Sequence, residues 1–159
     1  ADGSSTGNFW NSTTPTSSVV TVTNSTECNV NGQTYVMYAF AQKNGFSRFG
    51  KYKGNNNAFG TFVYTGFRPA LVIVKRSDGS NDWCMYDNKR DVNNPVEDKL
   101  QVNQTSAESN DLSMDFLSNG FKFRQNGGNF NGAYVYMYMA WAQNPIVANV
   151  GNSIPATAR

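Results

Sequence analysis

The chain has 159 residues, with 13 Lys and Arg against 11 Asp and Glu and no histidine. So even a charge balance excludes a nucleic-acid binder, which needs a clustered basic stripe. The missing imidazole excludes Ser–His–Asp and Cys–His catalysis and the commonest transition-metal ligand.

Polarity comes from 22 Asn, 14 Ser and 12 Thr, and 14% of residues are aromatic. Asn, Ser and Thr favour turns and disfavour helix interiors, while Tyr and Phe suit pleated surfaces, so the composition points to an all-β chain. No apolar run is long enough to span a membrane as a helix, and no membrane insertion is expected. The chain opens on Ala1 without a signal-peptide pattern, and reads as a fragment or a processed end. Two cysteines, Cys28 and Cys84, make no disulfide framework and read as thiols of the core type.

In chain order, residues 1–18 are Gly, Ser, Thr, Asn and Pro around one Phe9-Trp10 pair, an arm or linker. Val19–Thr23 reads as a short β-branched strand, and Asn31-Gly32 as a turn into a strand over Thr34–Ala41. Gly45–Gly60, rich in Gly, Asn and Lys, reads as irregular. Thr61–Thr65 is a strand, Gly66–Pro69 a turn, and Ala70–Lys75 a continuous apolar strand covered on both faces. A loop over Ser77–Asn81 leads into a strand from Trp83 to Asp87. Residues 88–110 form a long connection with room for one helical turn.

From Leu112 the alternation is clear, with Leu112, Met114 and Phe116 on one face and Ser113, Asp115 and Leu117 on the other. Asn119-Gly120 predicts a hairpin turn before Phe121–Arg124. The last strand, Ala133–Ala142, puts Val135, Met137, Met139 and Trp141 on its core face. Tyr134, Tyr136 and Tyr138 are left for packing under another sheet, a subunit interface or sugar stacking. A polar tail follows Pro145. About eight short strands separated by turns predict an antiparallel β-sandwich, concanavalin-like or jelly-roll.

Asn31–Gln42 and Asn131–Gln143 resemble each other: with one inserted residue, Tyr35 matches Tyr136, and Ala39, Ala41 and Gln42 match Ala140, Ala142 and Gln143. Either two similar strands pair in one sheet, or residues 1–42 end a preceding copy in a tandem array. The expected organisation is an arm plus strand over 1–42, a sandwich over 43–145 and a tail over 146–159, with the early strand packed into the sandwich.

Five blocks carry a resemblance: Gly54-Asn55 with Gly60–Val63, Thr65–Ala70 and Val74–Arg76; Trp83 with Tyr86–Arg90; Phe116–Lys122; Tyr134–Pro145; and Ile154–Arg159. Together, over roughly residues 35–159, they resemble the uncharacterised C-terminal, concanavalin-like domain of phage tail-fibre-like proteins, often tandemly repeated in phages of marine bacteria. The resemblance implies a virion location, a lectin-like sandwich, and host attachment or fibre assembly. It brings no catalytic residues.

The candidate ligand-binding residues are Asn55, Asn57, Asp78, Asn81, Trp83 and Asn93; the loop amides among them match sugar hydroxyls without charge. Asp78, Asn81, Asp82 and Asp87 are oxygen donors of the kind Ca²⁺ takes, but their spacing is not that of an EF-hand, and neither metal nor cofactor is expected. Asp87 and Arg90 are set to pair and fix the loop that follows. Glu97, Asp98, Glu108, Asp111 and Asp115 offer no facing pair in an apolar cleft, and Asp115 alternates outward, so no glycosidase is expected. The expected function is non-enzymatic: a virion-surface or tail-fibre adhesin domain or, as the alternative, a structural virion subunit (fibre, baseplate or capsid decoration) serving assembly. The expected partners are host glycan or receptor, other virion subunits and further copies of itself.

Overall fold

The computed structural model describes residues 9–110 and 113–145. These divide into two compact units, 9–40 and 41–145. No helix occurs among the described residues.

Unit 41–145 is an antiparallel β-sandwich. Its strands are β1 (Ser47–Lys53), β2 (Phe62–Tyr64), β3 (Pro69–Arg76), β4 (Cys84–Asp87), β5 (Leu100–Gln101), β6 (Met114–Leu117), β7 (Gly120–Phe123) and β8 (Val135–Ala142). One sheet has the order β1-β8-β3-β4-β5 and the other β2-β7-β6. The strand pairings are antiparallel, and β8 is an interior strand, with Tyr138 opposite Gly50 on one side and Val74 on the other.

The core lies between the sheets. From the large sheet come Tyr52, Val72, Val74, Cys84, Tyr86, Tyr136, Tyr138 and Ala140, and from the small sheet Val63, Met114, Phe116, Phe121 and Phe123. Tyr52 stacks on Tyr136 at 5.1 Å and on Phe123 at 5.2 Å, so one ring links the two layers. Such ring pairs add about 1 kcal/mol each beyond the area they bury.

The all-β reading and the turns at Gly66 and Asn119-Gly120 are as the sequence predicts. Several readings are corrected. Gly45–Gly60 contains β1, which the segment's Gly, Asn and Lys content hid. Gly50 is there for close approach: a Cβ on it would lie 2.9 Å from the Tyr138 ring. Lys51 and Lys53 are exposed on this edge strand, where charge discourages unwanted pairing.

In β8 the core face is Tyr136, Tyr138 and Ala140, not Met137, Met139 and Trp141, which are half-buried on the outer face. Both alternating sets are apolar, so periodicity could not choose between them. Likewise Val72 and Val74 of β3 are fully buried while Leu71 and Ile73 are half-buried outside. Asp115 does not stand outward in solvent: it is 8% exposed, and Arg124 Nε reaches its Oδ2 at 2.8 Å. The 88–110 connection contains β5 and no helical turn.

Unit 9–40 holds turns and bends and no strand. Its local ties include the Thr23 N–H donating to the Phe9 carbonyl at 3.0 Å and the Tyr35 hydroxyl donating to the Thr26 carbonyl at 3.2 Å. Neither Val19–Thr23 nor Thr34–Ala41 is a strand, and neither joins a sheet. β-propensity describes fit to a pleated surface and does not supply the neighbouring strand that satisfies the backbone. Cys28 and Cys84 are both thiols, the second buried. Leu112, Asp111 and the 146–159 tail lie outside the described residues.

Candidate functional site

Strand direction sorts the loops of the sandwich unit into two ends. Loops 54–61, 77–83 and 124–134 meet at one end, where Lys53 pairs with Val135, Arg76 with Tyr136, and the Gly60 N–H donates to the Phe123 carbonyl. Segments 42–46, 65–68, 118–119 and 143–144 meet at the other, tied by the Ala142 N–H to the Phe46 carbonyl, the Gln143 N–H to the Arg68 carbonyl, and the Thr65 N–H to the Asn119 carbonyl.

Most of the sequence-predicted site residues fall at the first end, and their polar groups are largely spent within the protein. Asn55 Oδ1 accepts from Asn131 Nδ2 at 3.0 Å and its Nδ2 donates to the Phe59 carbonyl; Asn57 Oδ1 accepts from the Phe59 N–H. Asp78 is paired with Arg76 at 2.6 Å, and Asn81 Nδ2 donates to Asn129 Oδ1 at 2.7 Å. Trp83 is half-buried, its backbone N–H donating to Asn103 Oδ1. Asn93 stands apart, exposed on the 88–95 segment.

The acidic residues around Trp83 are likewise engaged one by one. Asp82 accepts from Gln101, Asn103 and Gln104 side-chain amides, each at 2.8 Å. The Gln104 and Asn103 amides hold its carboxyl below the usual aspartate range. Asp87 pairs with Arg90 at 2.7 Å, and Arg90 also reaches Glu108 at 2.9 Å, which is the expected clamp on the following loop. Burial pushes the Asp87 carboxyl up, but the Arg90 and Lys89 backbone N–H groups and the Arg90 side chain outweigh it, and the net shift is downward. No group of three or more candidate metal ligands is found among the described residues.

The second end carries open space. A cleft of about 290 Å³ is lined by Gln42, Lys43, Asn44, Gly45, Ser47, Arg48, Tyr64, Thr65 and Gly66. A second, of about 250 Å³, shares Gly45 and Gly66 and adds Phe67, Arg68, Ser118 and Asn144.

Both walls of the first cleft are fixed by hydroxyls. Ser47 Oγ donates to the Ala41 carbonyl at 2.9 Å, while Lys43 and Ser47 exchange backbone hydrogen bonds that close the 43–47 turn. Thr65 Oγ1 donates to the Phe67 carbonyl at 2.6 Å, and Gly66 has φ +85°, a conformation that favours glycine.

Tyr64 forms the wall between them. Val63, its neighbour on β2, enters the core, so the pleat turns Tyr64 out, and its ring is 57% exposed. The Arg48 guanidinium carbon lies 5.9 Å from its centroid, the outer range of a cation–π contact. An exposed ring beside amides and a guanidinium can hold the flat apolar face of a polar ring compound while the edge groups bond its substituents.

The sequence reading missed Gln42, Lys43, Asn44, Arg48 and Tyr64. Asn44-Gly45 signals a turn and Tyr64 alternates with Val63, so the signal was there. It was masked by reading Gly45–Gly60 as irregular, which hid the strand that places Arg48.

No curated protein and no solved structure matches the chain. A family model does match, over residues 1–145, and the chain belongs to that family, described as a domain of unknown function (DUF7483).

Proposed function

We propose that this chain is a non-enzymatic attachment domain of a virion appendage, resembling those of phage tail fibres, and that it binds host-surface glycan. The observation that carries the reading is Tyr64: an aromatic ring 57% exposed, in a cleft lined by Gln42, Asn44 and Arg48. A single exposed ring is ordinary; this one supports the reading because it stands beside amides and a guanidinium, where the apolar face of a sugar can stack while those groups bond its edge. The two clefts contain no Asp or Glu, which supports binding without cleavage. Weak single sites would gain strength from many copies on one particle, so homo-oligomeric display belongs to the proposal.

The test is a glycan array and host-cell binding with the full chain and with Tyr64→Ala. Retention of glycan by the parent and its loss in the variant, with the fold unchanged, is the expected result. Retention unaffected by Tyr64→Ala would remove the site.

A second reading is a structural virion subunit serving assembly. It is favoured by one observation: Val36, Met37, Tyr38 and Phe40 are 58–81% exposed, an apolar segment that suits contact with other subunits. Stable oligomers without glycan binding would select it.

A further inference from the structure

The described residues include five arginines, and their partners separate them into two groups. Arg76 is paired with Asp78, Arg90 with Asp87 and Glu108, and Arg124 with Asp115. Arg48 and Arg68 have no carboxylate partner among the described residues, and these two line the adjoining clefts, Arg48 the first and Arg68 the second. Lys43 joins Arg48 in the first cleft. A chain with net charge +2 thus sets Lys43 and Arg48 in one cleft with an exposed tyrosine, and Arg68 in the adjoining cleft, none of the three with a carboxylate partner among the described residues.

We propose that this site takes an acidic pyranose: a sugar ring lying on Tyr64, its carboxylate or sulfate directed to Arg48 and Lys43, and its hydroxyls to Gln42 and Asn44. The inference deepens the glycan reading and rests on it. A neutral sugar would use the ring and the amides but leave the cations without a role. An anionic group supplies what they lack, and the planar guanidinium fork matches the paired oxygens of a carboxylate or sulfate. Like charges without counter-charges also raise the local positive potential, so an acidic chain is drawn to this end first. Arg68, in the cleft that shares Gly45 and Gly66, stands where the next acidic unit of a polymer would reach.

The experiment measures binding of the full chain to four polymers at two salt concentrations: polygalacturonate, dextran sulfate, neutral dextran and duplex DNA. Either acidic polysaccharide is expected to bind at least about tenfold more tightly than dextran, the worth of one charge-assisted hydrogen bond. Which of the two binds better identifies carboxylate or sulfate as the anion. Arg48→Gln and Lys43→Gln should each weaken acidic binding about tenfold, by the same reasoning, and weaken dextran binding by much less. Arg48→Lys keeps the charge and loses the fork, so it should recover only part of the affinity. Lys51→Gln, a cation on the exposed outer edge away from the cleft lining, should have no effect; unchanged thermal melting of the variants separates binding from folding.

Equal binding of dextran and the acidic polymers, with Arg48→Gln silent, would overturn the acidic class while leaving glycan binding in place. DNA bound as tightly as the acidic sugars would overturn it too, reducing the site to polyanion attraction. Loss of both readings together would require that no sugar on the wider array is retained.

Discussion

Asn131 and Asn55 join their side-chain amides across the end of the sandwich. Asn131 Nδ2 donates to Asn55 Oδ1 at 3.0 Å, and Asn131 Oδ1 accepts from the Asn55 N–H at 3.3 Å. Asn131 is fully buried, and its amide also serves the Asn57 and Gln125 carbonyls and the Thr61 N–H. One amide thus satisfies backbone groups from the 54–61 and 124–134 loops that no strand could reach.

Asn131→Ala is therefore expected to destabilise by about 3 kcal/mol, since several buried groups lose their partner at once. Urea unfolding checks this. Asn131→Asp should cost a similar amount, because a carboxylate cannot donate to the two carbonyls and is buried with a charge. A loss below about 1 kcal/mol in both variants would show that water replaces the amide.

Tyr52 ties the two layers by its ring and holds the 124–134 loop by its hydroxyl, which donates to the Phe130 carbonyl at 2.6 Å. Tyr52→Phe keeps the stacking and leaves that carbonyl without this donor, for an expected loss of about 1–2 kcal/mol. Tyr52→Ala also opens a cavity between Tyr136, Phe121 and Phe123, and should cost about 3–5 kcal/mol. The difference between the two variants, measured by denaturation, apportions hydroxyl and ring.

Stability should fall at alkaline pH. Burial pushes the Tyr52 hydroxyl well above its ordinary value, with Tyr136 adding to the shift, and burial raises Tyr136 as well. The folded state keeps these protons where the unfolded state releases them. Their contribution is complete below about pH 10, the unfolded tyrosine value, and is lost as pH rises toward the folded values. Melting temperature across that range, followed beside tyrosinate absorbance, should fall as pH rises, and Tyr52→Phe should reduce the slope.

The Arg90 clamp predicts the acid limb. Asp87 is held below its ordinary range, so its contribution is present above about pH 4, the unfolded aspartate value, and is lost as pH falls through the lower folded value. Arg90→Met should destabilise by about 1–2 kcal/mol at neutral pH, because Asp87 and Glu108 lose their shared partner, and should soften the acid dependence only in part, because the Lys89 and Arg90 backbone N–H groups still donate to Asp87. An acid limb as steep in the variant as in the parent would assign the lowered Asp87 value to those backbone groups alone.

Tyr64→Ala separates site from scaffold. The ring is exposed and outside the core cluster, so thermal stability should change by no more than about 0.5 kcal/mol. A large loss would mean that Tyr64 serves the fold, through Arg48 or Gly66, rather than a ligand.

The amino-acid sequence by itself determined the all-β class, the turns at Gly66 and Asn119-Gly120, most of the strands and the Asp87–Arg90 pair, because each depends on local alternation, turn chemistry or near neighbours in the chain. Only the tertiary structure decided which face of β8 is core, since Tyr136 and Met137 are both apolar enough and the partner layer makes the choice. It alone showed that Thr34–Ala41 is not a strand and that Gly50 is an occupied strand position under Tyr138. It also reassigned the site: Asn55, Asn57, Asp78 and Asn81 looked available as loop amides and acids, but each meets a partner distant in sequence or across a turn. Tyr64 and Arg48, 16 positions apart on the edge strands of different sheets, come together only when those sheets stack.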